Sequence, residues 1–256
     1  MSSEPDISFV IPAFNEETLL AGCLAAIAAE IDRTRCRAEI IVVDNASTDA
    51  TASVAGATPG VRVVFEPERG LVPARRAGCL AARGRLIANI DADTILPEGW
   101  LGRVFAEFAR IPRLVGLSGP YIYYDSPARV RVAAAVFYRA AFANYLLIRF
   151  VIRAGSMMQG GNFVVRRDAL LDSGWFDSGF RFYGEDTDLA RRLSKLGAVK
   201  FTFRMIALSS GRRFAGEGLL RVGFVYTANF FWATFRKRPL TAHWDDFREH
   251  RPAERP

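Results

Sequence analysis

Two aspartates separated by one residue, Asp91 and Asp93, are the first candidates for chemistry in this sequence. They come at the end of a short aliphatic run, residues 86–91, which predicts a buried strand. Because the alternation of side chains breaks down where a strand ends, both carboxylates can face one cation. Ligand sets made only of oxygen favour Mg²⁺ or Mn²⁺, which bind through one or two carboxylates together with substrate phosphates. The alternative for this pair is a solvated acidic turn that caps the following helix.

A second acidic cluster, Glu185, Asp186 and Asp188, precedes a predicted helix that ends near Gly197. Carboxylates are common in catalytic sites, but their type and spacing assign no specific reaction here. Acids in the first turn of a helix also interact favourably with the helix dipole. The cluster by itself therefore leaves a catalytic and a structural role open.

The first half of the chain predicts a doubly wound α/β sheet that would position these acids. Short aliphatic runs predict parallel strands buried on both faces, at residues 7–12, 40–44, 61–66 and 86–91. Helical stretches alternate with them, at 16 to about 30 after the candidate cap Asn15, 49 to about 55, and 73 to about 83. Ligands of such sheets bind beyond the carboxyl ends of the strands, which is where Asp91 and Asp93 lie.

The loops that follow these strands carry neither a G-x-G-x-x-G nor a G-x-x-x-x-G-K-[ST] motif. This pattern argues against a Rossmann dehydrogenase and a P-loop NTPase. A nucleotidyltransferase is also disfavoured, because no glycine-rich basic loop follows the first strand.

Charge is distributed unevenly along the 256 residues. The formal net charge is +7, but residues 1–125 carry 12 basic and 16 acidic side chains, whereas residues 126–167 carry seven arginines and no acid. This distribution argues against a continuous basic face for nucleic acid and favours a local basic docking surface. We expect no nucleic-acid partner.

Arginines alternate with aromatic and aliphatic residues at 129–153, and an uncharged stretch, 222–235, ends in Arg-Lys-Arg. The longest uncharged run of the first stretch, residues 140–148, is too short to span a bilayer, and the 14 residues of the second fit a buried or interfacial helix better than a transmembrane one. Both stretches fit helices that lie on an anionic membrane surface. The alternative is that both helices pack on the sheet and their arginines are solvated.

Three cysteines, Cys23, Cys36 and Cys79, form no C-x-x-C pair and are expected to be reduced thiols. The first residues are acidic and no apolar segment precedes the first strand, unlike a signal peptide. We therefore expect a cytoplasmic protein, with peripheral attachment to the inner face of the cell membrane.

An ordered set of short motifs resembles the family 2 glycosyltransferases of the GT-A fold. The motifs are Pro-Ala-Phe-Asn-Glu from residue 12, Asp-Asn-Ala-Ser-Thr-Asp from 44, Ala-Arg-Arg-Ala-Gly from 74, Asp-Ala-Asp from 91, Gly-Gly-Asn from 160 and Glu-Asp from 185. The resemblance runs from about Ile7 to Gly197. It implies a Rossmann-like, doubly wound mixed sheet with a C-terminal helical extension. It also implies transfer of a sugar from a nucleoside diphosphate donor with inversion at the anomeric carbon.

The resemblance assigns the donor site residue by residue. The nucleoside pocket would be lined by Pro12, Phe14, Asn15 and Glu16. Asp44 would hydrogen-bond the base or the ribose. Asp91 would lie near the ribose and the metal, and Asp93 would be the direct ligand of Mg²⁺ or Mn²⁺.

The resemblance also implies positive groups for the diphosphate. Arg75 matches the arginine of the family segment, but Arg76 stands where the family more often has asparagine. Which of the two faces the site is left open, and either can be a solvated helix arginine. Arg212, in the segment Ser-Ser-Gly-Arg-Arg from residue 209, would touch the diphosphate.

For the acceptor side, the resemblance makes Asp186 the general base and Glu185 its neighbour or an acceptor-binding group. Gly161 and Asn162 would shape the donor-sugar and acceptor pocket, with an ordinary tight turn as the alternative. His243 would complete the metal shell, or it is a loop histidine without a ligand role.

These assignments divide one GT-A domain into three parts. Residues 1–125 would bind the nucleotide sugar, 126–210 would form the acceptor side with the base, and 211–256 would be an apolar helix with a polar tail. The expected donor is a UDP- or GDP-sugar, and the expected acceptor is a lipid-linked or cell-envelope glycan. Two alternatives remain: a retaining transferase that makes a small soluble glycoside, and a non-catalytic membrane-associated scaffold.

Overall fold

The computed structural model describes residues 4–152, 156–175, 180 and 184–236. Within these residues the strands are β1 (Ile7–Ala13), β2 (Ala38–Asp44), β3 (Val61–Phe65), β4 (Leu86–Ile90), β5 (Leu114–Ser118), β6 (Tyr121–Tyr123), β7 (Asn162–Arg166), β8 (Ala198–Phe201) and β9 (Ala207–Ser209). The helices are α1 (Leu20–Thr34), α2 (Thr51–Ala57), α3 (Leu71–Ala81), α4 (Trp100–Arg110), α5 (Ala128–Leu146), α6 (Arg167–Asp172), α7 (Glu185–Leu193), α8 (Arg212–Glu217) and α9 (Leu219–Arg236). A π-helical segment, Leu147–Ile152, continues α5.

The central sheet of the described residues has seven strands in the order β3-β2-β1-β4-β7-β5-β8. Strand β7 runs antiparallel to both of its neighbours, β4 and β5, while the other pairs are parallel. The predicted mixed sheet is therefore confirmed. β6 and β9 form a separate parallel pair. The reversal of β7 brings the turn before it to the carboxyl end of β4.

The sheet is buried on both faces, as the near-continuous aliphatic runs predict. On one face, Phe9 and Ile11 of β1 join a hydrophobic cluster that includes Trp100 of α4. On the other face, Val10 joins a cluster that includes Trp175. The chain can bury such a core without cross-links, and Cys23, Cys36 and Cys79 are free thiols.

Some expectations about individual elements are wrong. β3 is an edge strand that pairs only with β2, and its Val63 and Phe65 are 38% and 64% exposed rather than buried. Helix α1 begins at Leu20 rather than residue 16. Asn15 does not cap it, because Asn15 has a left-handed backbone (φ 51°) and bonds elsewhere. Helix α4 and strand β5 were not predicted, although Trp100, Val104 and Phe108 recur about one helical turn apart along α4 and are buried.

Candidate active site

A cavity of about 610 Å³ opens at the carboxyl ends of β1 and β4. One side, which we call the donor wall, carries most of the charge: Pro12, Glu16, Arg75, Asp91, Asp93 and Arg212. A second group of lining residues, which we call the aromatic wall, is mostly aromatic: Tyr121, Tyr123, Phe137, Tyr138, Met157, Met158, Phe201, Phe214 and Phe230. Gly160 and Asp186 also line the cavity. A mostly apolar cleft with a few convergent charged groups is typical of a binding site.

The loops after β1 and β2 hold each other in place beside the donor wall. The side-chain oxygen of Asn15 accepts the backbone N–H of Thr48 at 2.9 Å. The backbone N–H of Glu16 donates to the Thr51 hydroxyl at 2.7 Å, and that of Glu17 to Asp49 at 3.2 Å. Such side-chain to backbone bonds order a loop without secondary structure.

Three residues predicted for the nucleoside pocket lie in or beside these loops rather than in the lining of the cavity. Asp44 is buried and accepts the backbone N–H of Ser47 at 3.1 Å, which stabilises its own turn. The Phe14 ring lies 3.7 Å from the guanidinium carbon of Arg69. Asn15 uses its side-chain oxygen on Thr48. Pro12 and Glu16 do reach the cavity.

Asp91 and Asp93 both line the cavity, and each is held by other polar groups. Asp91 accepts Arg75 Nη2 at 3.0 Å, and the Tyr121 hydroxyl oxygen lies 3.4 Å from Asp91 Oδ2. Asp93 accepts Arg212 Nη2 at 3.2 Å. Across the described residues, no group of three or more His, Cys, Asp or Glu side chains is arranged as a metal site. Two carboxylates fit Mg²⁺ or Mn²⁺, for which substrate phosphates and water supply the remaining ligands.

Arg75 is the arginine that faces the site. Its side chain is 1% exposed, and it contacts Glu185 with Nη1 and Asp91 with Nη2. Arg76 is exposed. Burial raises the pKa of Glu185, and the positive charge of Arg75 opposes this rise. Arg75 therefore links Glu185, the first residue of α7, to Asp91, which follows β4.

Asp186 lines the cavity, whereas its neighbour Glu185 lies behind the wall. The two Asp186 carboxylate oxygens accept the backbone N–H of Gly160 at 3.0 Å and of Thr187 at 2.7 Å. Burial raises the pKa of Asp186 above its ordinary value. Glu185 is 2% exposed and is not part of the lining. The structure thus gives Glu185 contact with Arg75 rather than with an acceptor.

The turn before β7 approaches Asp91 so closely that only glycine fits. Gly161 has φ +75°, and a Cβ atom built there would lie 2.0 Å from Asp91 Oδ2. The Gly161 carbonyl accepts the backbone N–H of Asp91 at 3.3 Å. Gly161 therefore positions the Asp91 carboxylate, and its neighbour Gly160 lines the cavity.

Asn162 is not part of the cavity lining, so any influence on the shape of the pocket would be indirect. Its side chain is fully buried and makes structural bonds at both ends. The amide nitrogen donates to the carbonyls of Gly119 at 3.0 Å and Met205 at 2.8 Å. The amide oxygen accepts the indole N–H of Trp100 at 3.2 Å.

The sequence profile of glycosyl transferase family 2 matches residues 8–174. The chain belongs to this family. It is therefore a glycosyltransferase, and the resemblance seen in the sequence motifs is confirmed.

Relatives and solved structures agree with this family. An uncharacterised glycosyltransferase of Mycobacterium tuberculosis is 35% identical over 234 residues, which cover 88% of this chain and 96% of that protein. A mannosyltransferase from Pyrobaculum calidifontis, solved with GDP-Man and Mn²⁺, has a TM-score of 0.65 and 21% identity over 92% of this chain and 64% of its own. Glucosyl-3-phosphoglycerate synthase from M. tuberculosis, solved with Mn²⁺, UDP and phosphoglyceric acid, has a TM-score of 0.61 and 20% identity over 91% of this chain and 78% of its own. These structures confirm the GT-A fold.

Two residues of this glycosyltransferase site were missed in the sequence. Asp125 accepts the Ser210 hydroxyl at 2.5 Å and the backbone N–H of Gly211 at 2.6 Å, which anchors the segment that carries Arg212. Tyr121 donates to the Gly160 carbonyl at 3.2 Å and lies 3.4 Å from Asp91. The alternation Tyr-Ile-Tyr in β6 is the only sequence signal for Tyr121, and Asp125 has none.

Two predictions concern the C-terminal part of the chain, the apolar stretch 222–235 and His243, and the structure describes only the first of these regions. The apolar stretch 222–235 lies within α9. Among the described helices, none combines the length and the apolarity needed to cross a membrane. His243 lies outside the described residues, so its role as a ligand stays a prediction.

Proposed function

We propose that this glycosyltransferase moves a sugar from a nucleoside diphosphate sugar to an acceptor hydroxyl, with inversion at the anomeric carbon. The observation that carries the proposal is that Asp186 lines the same cavity as Asp91 and Asp93. A base and two candidate metal ligands then face one reacting centre, as this reaction requires.

Asp91 and Asp93 would hold Mg²⁺ or Mn²⁺ in this proposal. The cation would stabilise the negative charge that develops on the leaving diphosphate. The structures solved with GDP-Man and with UDP, both containing Mn²⁺, support a UDP- or GDP-sugar as the donor. Arg212 lines the donor wall and would contact the diphosphate.

Asp186 would act as the general base. As the acceptor oxygen bonds to the anomeric carbon, the bond from that carbon to the diphosphate oxygen breaks and the acceptor proton passes to Asp186. The backbone N–H groups of Gly160 and Thr187 orient its carboxylate. Arg75 and Glu185 are positioning residues, because they hold Asp91 and one another rather than the substrates.

The acceptor would be a lipid-linked or cell-envelope glycan, and the protein would attach to the cytoplasmic face of a membrane. The exposed face of α5 supports this attachment: Val132 and Val136, spaced one helical turn apart, are 63% and 60% exposed. The adjoining Arg129, Arg131 and Arg139 are also exposed.

The free thiols fit a reducing compartment. Residues 1–125 would supply most of the donor site and 126–210 most of the acceptor side.

The product decides between this proposal and its two alternatives. Purified protein is incubated with UDP- and GDP-sugars, Mn²⁺ or Mg²⁺ and polyprenyl-phosphate or glycan acceptors, and the anomeric configuration of the product is read by NMR. An inverted anomer supports the proposal, whereas a retained anomer favours the retaining transferase. Absence of both transfer and metal-dependent donor hydrolysis would favour the scaffold.

Membrane attachment has its own test, flotation with vesicles that contain or lack anionic lipid. We expect binding only to anionic vesicles, with loss of binding as the salt concentration rises. Val132→Glu combined with Val136→Glu should abolish flotation. Leu80→Glu is the matched control, because Leu80 is 54% exposed on α3. Equal flotation of the α5 variant and the control would overturn the attachment.

A further inference from the structure

Arg212 lies against the carboxylates on which the metal site depends. Its Nη2 atom contacts both Glu16 and Asp93, at 3.2 Å from Asp93 Oδ2. The carboxylate side chains are only 4% and 13% exposed, and the arginine is 33% exposed. The guanidinium of Arg212 is therefore paired with Asp93 Oδ2, an oxygen that would ligate a divalent cation.

The backbone at Arg212 is fixed while its side chain has room. Asp125 holds Ser210 and Gly211, the two residues before it, through bonds of 2.5 and 2.6 Å. A Cβ atom at Gly211 would lie 1.8 Å from the Ser126 hydroxyl, so this segment is tightly packed. Beyond it, the Arg212 side chain faces the cavity. Arg212 can therefore exchange partners by rotation of its side chain, without movement of the backbone.

A guanidinium and a divalent cation compete for the same face of Asp93. Two positive groups a few ångströms apart repel each other strongly in a partly buried site. Binding of the metal therefore requires Arg212 to give up Asp93. The diphosphate of a donor offers a new anionic partner, and guanidinium groups pair well with phosphate oxygens.

We propose that Arg212 takes the place of the cation on Asp93 when no nucleotide is bound, and moves to the diphosphate when metal and nucleotide bind together. This inference rests on the proposed donor site. Its consequence is that the metal alone binds weakly, whereas each of the two ligands strengthens the binding of the other. Such coupling is reciprocal: nucleotide must raise metal affinity by the same factor as metal raises nucleotide affinity.

The test measures Mn²⁺ binding to the full chain by electron paramagnetic resonance, without nucleotide and then with UDP or with GDP. In the absence of nucleotide, Arg212→Met should bind Mn²⁺ about tenfold more tightly than the unsubstituted protein, because the competing charge is gone. With UDP or GDP, the gain in Mn²⁺ affinity should be smaller in Arg212→Met than in the unsubstituted protein. Arg204→Met, at an exposed arginine away from the cavity, is the charge-matched control and should leave both affinities unchanged.

Arg212→Lys separates competition from a general structural role. Lysine keeps the charge but is a single compact donor that does not reproduce the guanidinium fork. We expect its nucleotide-free Mn²⁺ affinity to lie between those of the unsubstituted protein and Arg212→Met. Equal nucleotide-free Mn²⁺ affinity in all three proteins would overturn the inference, and sugar transfer by the unsubstituted protein would still support the proposed function. If no Mn²⁺ binds with either nucleotide and no sugar is transferred, both the inference and the proposed function fail.

Discussion

The donor wall and the aromatic wall of the cavity are held in place by different forces. The donor wall is fixed by hydrogen bonds and ion pairs, such as those of Arg75 with Asp91 and Glu185. The aromatic wall depends mainly on ring packing, such as the edge contact of Tyr123 with Phe214 at 4.7 Å between centroids. Directional bonds set charges at defined points, whereas ring packing sets a shape. In the proposed function, the donor wall would recognise the charged diphosphate and the aromatic wall would select the outline of the acceptor.

The largest effect is expected at Asp186, where the two walls meet. Asp186→Asn removes the proposed base and should lower kcat by about 10²–10⁴-fold, because the acceptor proton has no place to go. Nucleotide affinity, a property of the donor wall, should change less than about threefold. Turnover and calorimetric titration with UDP and GDP measure the two separately.

The matched control for that change is Asp172→Asn, at an exposed acid on α6. It should leave both turnover and nucleotide binding unchanged. Full turnover by Asp186→Asn would remove Asp186 from the role of base.

The next effect concerns the buried ion pair behind the donor wall. Arg75→Met leaves the carboxylate of Glu185 buried without its cation, and we expect a loss of about 3–5 kcal/mol in the free energy of unfolding. Arg76→Met, at the exposed neighbour, should change it by less than about 0.5 kcal/mol. Denaturant unfolding measures both variants.

A double variant, Arg75→Met with Glu185→Leu, sharpens this test. It should recover much of the lost stability, because no unpaired charge stays buried. If the loss of unfolding free energy in the double variant equals the sum of the losses in the two single variants, Arg75 and Glu185 are not coupled.

The pH dependence of turnover should report the environment of Asp186. Burial raises its pKa, so the unprotonated base is lost at a higher pH than for an ordinary aspartate, whose pKa is about 3.9. As the pH falls, kcat should therefore decline through an acidic limb above about pH 4. The residual activity of Asp186→Asn should lack this limb, and an identical limb in the variant would assign the titration to another group.

The smallest effect is expected on the aromatic wall. The Tyr138 hydroxyl donates to Gln159 Oε1 at 3.0 Å, and loss of one such bond costs about 1 kcal/mol. Tyr138→Phe should raise the KM of the acceptor about fivefold and leave the KM of the donor unchanged. Tyr145→Phe is the control, because the Tyr145 hydroxyl bonds the Val199 carbonyl outside the cavity. A rise in the donor KM would contradict the division of labour between the walls.

The fold was largely predictable because short stretches of sequence are enough to identify most of the central strands. Aliphatic runs mark β1, β2 and β4, and Asp91 and Asp93 follow β4 as the topology requires. The exposure of β3 was not predictable from its sequence, because its aliphatic residues resemble those of the central strands. Its position at the edge depends on the pairing of the whole sheet.

The site was predictable where chemistry is carried by charged residues near strand ends. Arg75 could not be separated from Arg76 by residue type, and only the packing of α3 against the sheet decided which is buried. The buried position of Asn162 could not be read from its motif, because a motif does not show which way a side chain points. Its amide lies among three backbone carbonyls and an indole that come from distant parts of the chain.

The position of β7 has a consequence for how the protein is made. β4 ends at Ile90, but the strand that covers its second edge begins only at Asn162. A nascent chain that has emerged as far as residue 125 therefore presents the five apolar and amide-bearing residues of β4 with unpaired backbone groups. Such an edge is a template for self-association. Residues 1–125, the proposed donor half, therefore leave this edge of β4 open until β7 pairs with it.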